Sequence, residues 1–204
     1  MSTLTEYISN KNKLDEKVLS VFLTAGFPDK NNFTELALNI LEAGADMIEI
    51  GFPFSDPLAD GPIIQNSSYK ALLDGIDLTA TFNYVKEIRK ATGKPIILMG
   101  YANPVLSFGV SRFAEQAKAS GVDGVIIPDV PIEEYDSFFG NSFNGLDTIL
   151  LVTPTTSDER IKLMDEKSSG FVYCVSVSGT TGVHQEKNIS GIEFVKRAHN
   201  VIVK

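Results

Sequence analysis

A single glutamate stands inside an apolar segment of this chain, and two aspartates follow it on a proline-rich loop. Glu49 lies between Ile48 and Ile50 in a run typical of a buried β-strand. Moving an ionised carboxylate out of water costs several kcal/mol unless the group is paired, hydrogen-bonded or shares a proton. Glu49 is therefore a candidate acid or base. The alternative is a structural carboxylate that backbone amides or a neighbouring lysine satisfy.

The two aspartates of the loop are Asp56 and Asp60, and the loop is stiffened by Pro53, Pro57 and Pro62. Ser-Asp-Pro and Asp-Gly-Pro are common turn sequences, so both aspartates have a purely structural interpretation. The functional interpretation is that the loop holds one carboxylate over a pocket. Two carboxylates in unlike surroundings can divide the acid and base roles, because burial raises the pKa of one while the other stays ionised.

Other polar and aromatic side chains follow the predicted strands, namely Tyr101, Asn103, Asp129 and Tyr173. Core packing is the alternative for the two tyrosines. The segment Ser178–Gly182 is polar and rich in glycine, as an active-site lid is. It could equally bind an anion through its backbone amides.

These residues are positioned by a repeating pattern of amphipathic helix, glycine and β-branched strand, clearest in Glu42–Ile50 and Ser120–Ile127. Apolar residues recur at helical spacing on one face at Phe33, Leu36, Ala37, Ile40 and Leu41. Strands that are apolar on both faces and alternate with helices indicate a parallel α/β sheet. Strands are predicted at Leu19–Thr24, Asp46–Gly51, Pro95–Met99, Val122–Ile127, Thr148–Thr153 and Phe171–Ser176, with a seventh beginning at Val201.

The clustering of polar residues after the strands favours a (β/α)8 TIM barrel over a doubly wound sheet. If Ile48 and Ile50 face the helices, Glu49 points with Met47 and Gly51 into the barrel lumen. Such a barrel needs eight strands and typically about 250 residues, whereas this chain has 204 residues. We therefore expect residues 1–204 to form a single barrel domain that is incomplete at its C-terminus, from strand seven onward.

Composition narrows the class of function. The net charge of −8 argues against a nucleic-acid partner, which clustered Lys and Arg would bind. No apolar run approaches the roughly 20 residues that cross a membrane. The single cysteine, Cys174, fits a reducing cytoplasm, and the two histidines lack the spacing of a zinc site. We expect a cytoplasmic protein with a small-molecule substrate and no bound metal.

The loop Gly51-Phe-Pro-Phe-Ser-Asp-Pro-Leu-Ala-Asp-Gly-Pro-Ile-Ile-Gln65 resembles the signature of the tryptophan synthase α subunit family. Supporting segments are Phe22–Pro28, Met99–Pro104, Pro128–Glu134 and Ser178–Gly182. The resemblance implies a (β/α)8-barrel lyase that cleaves indole-3-glycerol phosphate into indole and glyceraldehyde 3-phosphate by a retro-aldol reaction. It implies no cofactor in this subunit. The implied partner is the β subunit, which carries pyridoxal phosphate in an α2β2 complex.

The resemblance also implies residue roles. Glu49 would protonate indole C3 and take the glycerol hydroxyl proton, and Asp60 would accept a hydrogen bond from the indole N–H. Asp56 and Asp129 would lie on the face that meets the β subunit. Together with the rim residue Tyr101, the expected substrate-binding residues are Phe22, Met99, Ile126, Tyr173, Thr181 and Gly182, of which Gly182 matches a phosphate-loop position.

Two other functions stay open at this point. A different phosphate-handling barrel, such as a sugar-phosphate isomerase or epimerase, would also place carboxylates at its strand ends, but the run Ser55–Pro62 disfavours it. A non-catalytic barrel, kept as a partner-binding or regulatory subunit, would fit the short C-terminus. The presence of both Glu49 and Asp60 disfavours that interpretation.

Overall fold

The strands that carry the candidate residues lie side by side in the order in which they occur in the chain. The protein is described by a computed structural model, which describes residues 3–175 and 189–202. One parallel sheet contains β1 (Ser20–Thr24), β2 (Met47–Gly51), β3 (Ile96–Met99), β4 (Gly124–Ile126) and β5 (Asp147–Ile149). A second parallel pair contains β6 (Leu151–Val152) and β7 (Tyr173–Cys174).

The predicted strand Thr148–Thr153 is divided in the structure at Leu150, which separates β5 from β6. The first part of this segment pairs with β4 and the second part with β7. The N–H of Tyr173 donates to the carbonyl oxygen of Leu150 at 2.9 Å, so the pairing continues across the division. The two sheets are therefore joined through one extended segment, as in the wall of a barrel.

Helices follow the strands as the alternating pattern predicts. In the described residues they are α1 (Thr3–Lys13), α2 (Phe33–Glu42), α3 (Pro62–Leu73), α4 (Leu78–Ala91), α5 (Ala102–Phe108), α6 (Val110–Ser120), α7 (Tyr135–Phe138), α8 (Asp158–Lys167) and α9 (Ile189–Val201). The predicted apolar face of α2 is confirmed, because Phe33, Ala37 and Leu41 are buried. Within the described part of the chain, none of these helices has the length and apolar character to cross a membrane.

The prediction that a seventh strand begins at Val201 is wrong, because Val201 is the last residue of α9. Phe194, Ala198 and Val201 lie on one face of this helix and pack with Val152 of β6 and Ile161 of α8. A local run of β-branched residues expresses only a weak preference for a strand. The helical spacing prevails here because it buries a continuous apolar face.

Side chains of β2 alternate between the two faces of the sheet, as predicted. Ile48 and Ile50 belong to the outer core, where the sheet packs against the helices. Met47 belongs to a separate inner core with Ile97 and Ile126 from the next two strands. The face of β2 that carries Glu49 is therefore the inner face, which in a barrel is the lumen.

Helix α1 closes the inner core at the amino-terminal ends of the strands. Its Leu4 is fully buried in that core. Asp46, just before β2, accepts hydrogen bonds from the N–H of Leu19 at 2.9 Å and from the hydroxyl of Tyr7 at 3.3 Å, and it lies 3.1 Å from Nζ of Lys11. The Leu19 bond is the main reason that the pKa of Asp46 is lowered. Helix α1 therefore covers the inner core at the amino-terminal ends of the strands.

Replacement of Phe113 by alanine tests the outer core. Phe113 is fully buried, and its ring lies 5.5 Å from that of Phe82 and 5.8 Å from that of Phe52. We expect Phe113→Ala to lower the free energy of unfolding by about 3–5 kcal/mol in urea denaturation, because it leaves a cavity in close-packed surroundings. The control, Leu73→Ala, removes a side chain that is 70% exposed and should change stability by at most about 0.5 kcal/mol. Similar losses for both variants would contradict this description of the core.

Candidate active site

The loop that joins β2 to α3 forms one wall of the candidate site. Pro62 is the first residue of α3, where its missing N–H and fixed φ suit a helix start. The Ser68 hydroxyl of α3 accepts from the N–H of Phe54 and donates to the Phe54 carbonyl oxygen, both at 2.9 Å. These two bonds tie the loop to the helix and so fix the region that carries Asp60.

A cavity of about 570 Å³ opens at the carboxyl ends of the strands. Five of the predicted site residues line it, namely Phe22, Asp60, Met99, Tyr101 and Tyr173. A larger cavity of about 940 Å³ lies beside α1 and the segment before β7, towards the amino-terminal ends of the strands. Enzymes built on (β/α)8 barrels keep their chemistry at the carboxyl ends. The smaller cavity, which also contains the predicted residues, is therefore the candidate active site.

Glu49 lies beneath this cavity rather than in its wall. Its side chain is 6% exposed, and its neighbours in the strand register are Phe22 on β1 and Ile97 on β3. The hydroxyl of Ser20 donates a hydrogen bond to Oε1 at 2.7 Å. Burial raises the pKa of the Glu49 carboxyl, because a low-dielectric setting disfavours its charged form, and the Ser20 bond acts in the opposite direction.

Two residues that line the cavity, Gly51 and Tyr173, lie near the buried Glu49. Gly51, two residues after Glu49 on the same face of β2, lines the cavity, and the ring of Phe22 occupies the space that a side chain at Gly51 would fill. Tyr173 on β7 also lines the cavity, and its pKa is raised by burial and then by the charge of Glu49. Glu49 is therefore within electrostatic range of the cavity wall.

The second carboxylate, Asp60, is held by a phenol. The hydroxyl of Tyr101 donates to Oδ2 of Asp60 at 2.9 Å and accepts from the N–H of Ala59 at 3.0 Å. Burial raises the pKa of the Asp60 carboxyl, and the Tyr101 bond partly offsets that effect. The pKa of Tyr101 is itself raised, first by burial and then by Asp60. The two carboxylates thus have different partners, a serine below the cavity and a tyrosine in its wall.

Three predicted residues do not reach the cavity. Ile126 is fully buried in the inner core. Asp56 is exposed and accepts a hydrogen bond from Ser55, while Asp129 is exposed and accepts from the N–H of Ala102 at 2.8 Å, at the start of α5. Neither aspartate is therefore in a position to act in the cavity.

The predicted residues Thr181 and Gly182, with the rest of Ser178–Gly182, lie outside the described residues. Ser20 is the contact that sequence reasoning missed. Its alternation with Phe22 along β1 is the signal that places it on the inner face. Within residues 3–175 and 189–202, no three His, Cys, Asp or Glu residues come together as metal ligands.

Comparisons with known proteins agree on one family. A family model described as tryptophan synthase alpha chain matches residues 8–202. The tryptophan synthase alpha chain of Christiangramia forsetii is 46% identical over 199 residues, which cover 97% of this chain and 78% of that protein. Over its whole length, this chain is similar to the tryptophan synthase alpha subunit of Legionella pneumophila, with a TM-score of 0.89, 32% identity and 76% of that chain covered.

A further solved structure shows an assembly. The tryptophan synthase α2β2 complex of Pyrococcus furiosus contains a chain that matches 92% of this one, with 42% identity, a TM-score of 0.83 and 75% of that chain covered. These similarities confirm the expected fold class, since the neighbours are (β/α)8 barrels. The parallel strands described above form part of such a barrel.

Two glycines of the cavity floor are expected to differ in their tolerance of alanine. A methyl group at Gly51 would meet the ring of Phe22, which is only partly buried and borders the cavity. A methyl group at Gly100 would meet the ring of Phe52, which is 3% exposed. Overpacking typically costs about 1–3 kcal/mol, so we expect Gly51→Ala near the lower value and Gly100→Ala at or above the upper one. Equal losses in urea denaturation would contradict this difference.

Proposed function

This chain belongs to the tryptophan synthase alpha chain family, and we propose that Glu49 and Asp60 carry the chemistry of that family in it. The alpha subunit cleaves indole-3-glycerol phosphate to indole and glyceraldehyde 3-phosphate in the biosynthesis of tryptophan. The reaction breaks a carbon–carbon bond by a retro-aldol step, so indole C3 must gain a proton and a glycerol hydroxyl must lose one.

The observation that carries the proposal is the burial of Glu49 beneath an apolar cavity. A carboxyl with a raised pKa keeps its proton to a higher pH than an ordinary glutamate does, and the protonated form can donate that proton. The same group, once ionised, can accept the hydroxyl proton. We assign both transfers to Glu49, which protonates C3 of indole and takes the proton of the glycerol hydroxyl.

Asp60 has a different task. Positive charge develops on the indole ring as C3 is protonated, and a carboxylate that accepts a hydrogen bond from the ring N–H stabilises that charge. The bond from Tyr101 favours the ionised form of Asp60 and fixes its direction. Burial raises the pKa of Asp60 as it does that of Glu49, so this assignment rests on geometry: we assign Asp60 to charge stabilisation because Tyr101 holds its carboxylate in the cavity wall.

The cavity walls fit an aromatic substrate. Phe22, Met99 and Tyr173 supply apolar and aromatic surface around the opening, and we assign them to the indole ring with Tyr101. Ile126 supports this wall from the inner core. Thr181 and Gly182 are proposed to bind the substrate, Gly182 on its phosphate side, as their positions in the family motif imply.

The alpha chain pairs with the β subunit of tryptophan synthase in the α2β2 complex. We assign Asp56 and Asp129 to the surface that meets this partner. Leu58, near Asp56, is 87% exposed, and Leu106, which shares a shallow groove with Asp129, is 56% exposed. Exposed apolar side chains suit the core of a partner interface, and charged groups such as these aspartates suit its polar rim.

Three further assignments concern the cofactor, the cellular compartment and the domain organisation. We propose that pyridoxal phosphate belongs to the partner β subunit, because the chemistry assigned to this chain uses its own carboxylates. The single cysteine, Cys174, supports a place in the reducing cytoplasm. We also propose that residues 1–204 form a single domain.

Replacement of Glu49 by glutamine tests the assignment. Glu49→Gln should lower kcat for indole release by about 10²–10⁴-fold, because an amide cannot exchange the proton. The control is Glu115→Gln, which makes the same chemical change at an exposed position of α6 and should keep the rate. Indole is measured after addition of indole-3-glycerol phosphate to the chain with its β subunit. A folded Glu49→Gln protein with wild-type kcat would contradict the proposed mechanism.

Replacement of Asp60 by asparagine should also lower kcat, by about 10²–10³-fold, because the ring loses its full negative partner in the transition state. Asp56→Asn is the matched control on the same loop, and in assays without the β subunit it should leave the rate unchanged. If Asp60→Asn raised only KM, Asp60 would have a turn role and no electrostatic one.

A further inference from the structure

The hydroxyl of Ser20 contacts the carboxylate to which the proposed function assigns the proton transfers. Ser20 is the first residue of β1 and pairs in register with Met47, two residues before Glu49 on β2. Its Oγ lies 2.7 Å from Oε1 of Glu49, a normal length for a hydroxyl–carboxylate hydrogen bond. The bond joins two neighbouring strands on the inner face of the sheet.

We propose that Ser20 is a positioning residue for Glu49: its hydroxyl directs the buried carboxylate and stabilises the ionised, proton-accepting state. This inference rests on the proposed function of Glu49 and adds a residue to it. Serine at this position would thereby set how readily Glu49 alternates between donor and acceptor.

Among the described residues around Glu49, Ser20 is the group that stabilises the ionised carboxylate. Within the described residues, no Lys, Arg or His forms an ion pair with Glu49. Burial disfavours the ionised form, and the Ser20 bond is the influence that favours it. Since the strand neighbours Phe22 and Ile97 are apolar, they cannot replace the missing hydration.

Other titratable groups face this lumen from neighbouring elements: Tyr7 on α1, Asp147 on β5, Tyr173 on β7, and Asp60 and Tyr101 at the cavity. Tyr7 bonds to Asp46, Asp147 accepts from the N–H of Leu4, and Asp60 and Tyr101 bond to one another. Tyr173 is the group whose pKa responds to the Glu49 charge. A neutral tyrosine leaves the charge of Glu49 unpaired, so it does not perform the role assigned to Ser20.

The test measures the pKa of Glu49 directly, by ¹³C NMR titration of protein labelled at the glutamate side-chain carboxyl carbon. The Glu49 resonance is identified by its absence from Glu49→Gln. We expect Ser20→Ala to raise the pKa of Glu49 by about half to one pH unit, because a hydrogen bond to the ionised form is lost. Ser20→Thr keeps a hydroxyl and should stay close to wild type.

Ser120→Ala is the matched control for loss of a serine hydroxyl. Ser120 is buried at the end of α6, and its hydroxyl donates to the Gln116 carbonyl oxygen at 2.6 Å, away from Glu49. This variant should leave the Glu49 titration unchanged. An unchanged or lowered Glu49 pKa in Ser20→Ala would overturn the inference. If Ser20→Ala does not fold, Ser20→Cys supplies a similar shape with a weaker donor and should shift the pKa in the same direction.

A second readout connects the bond to turnover. The pH profile of kcat/KM for indole release reports ionisation of the free protein, as the NMR titration does, so it should move upward in Ser20→Ala by the same amount and be restored in Ser20→Thr. A shift in the NMR titration without a shift in the profile would overturn the catalytic part of the inference. If Glu49→Gln retains turnover, the proposed function fails, while the NMR titration still decides whether Ser20 controls the ionisation of Glu49.

Discussion

The burial of one carboxylate on the inner face of a parallel sheet is the constraint on which the rest of the site depends. Glu49 is 6% exposed and has apolar neighbours on both adjacent strands. Removing an ionised carboxylate from water is unfavourable. Here a hydrogen bond from Ser20 stabilises the ionised form of Glu49, and its raised pKa reflects the greater stability that burial gives to the neutral form. A raised pKa also suits a group that both gives and takes a proton, so the same burial serves the chemistry that we propose for Glu49.

The surrounding elements keep that environment and give the substrate access to it. Helix α1 closes the amino-terminal side through Leu4 and the network around Asp46, while the carboxyl ends stay open to the cavity. The loop after β2 is bonded to α3 through Ser68, and it presents Asp60 to Tyr101. One carboxylate is thus buried below the cavity and the other is fixed in its wall, which would separate the proton transfer proposed for Glu49 from the charge stabilisation proposed for Asp60.

Much of this arrangement follows from the sequence, because the alternation of side chains along a strand fixes the face of the sheet on which each residue lies. The alternation correctly placed Ile48 and Ile50 outside and Met47 inside. The prediction of a strand at Val201 was wrong, because a helix there buries apolar residues several turns apart on one face, and this outweighs the preference of a short β-branched run for a strand. The Ser20 bond was missed because it depends on the register between two strands, which neither strand encodes alone. The roles of Thr181 and Gly182 stay predictions.

The most direct test of the central claim compares the pH dependence of unfolding in wild type and Glu49→Gln, by urea denaturation. A carboxyl whose pKa is higher in the folded state binds its proton more tightly there, so its contribution to stability is lost as pH rises from the ordinary glutamate pKa through the raised one. We expect wild type to lose stability relative to Glu49→Gln across that interval, since the other groups are common to both proteins. A constant difference, or one that moves in favour of wild type with rising pH, would contradict the account.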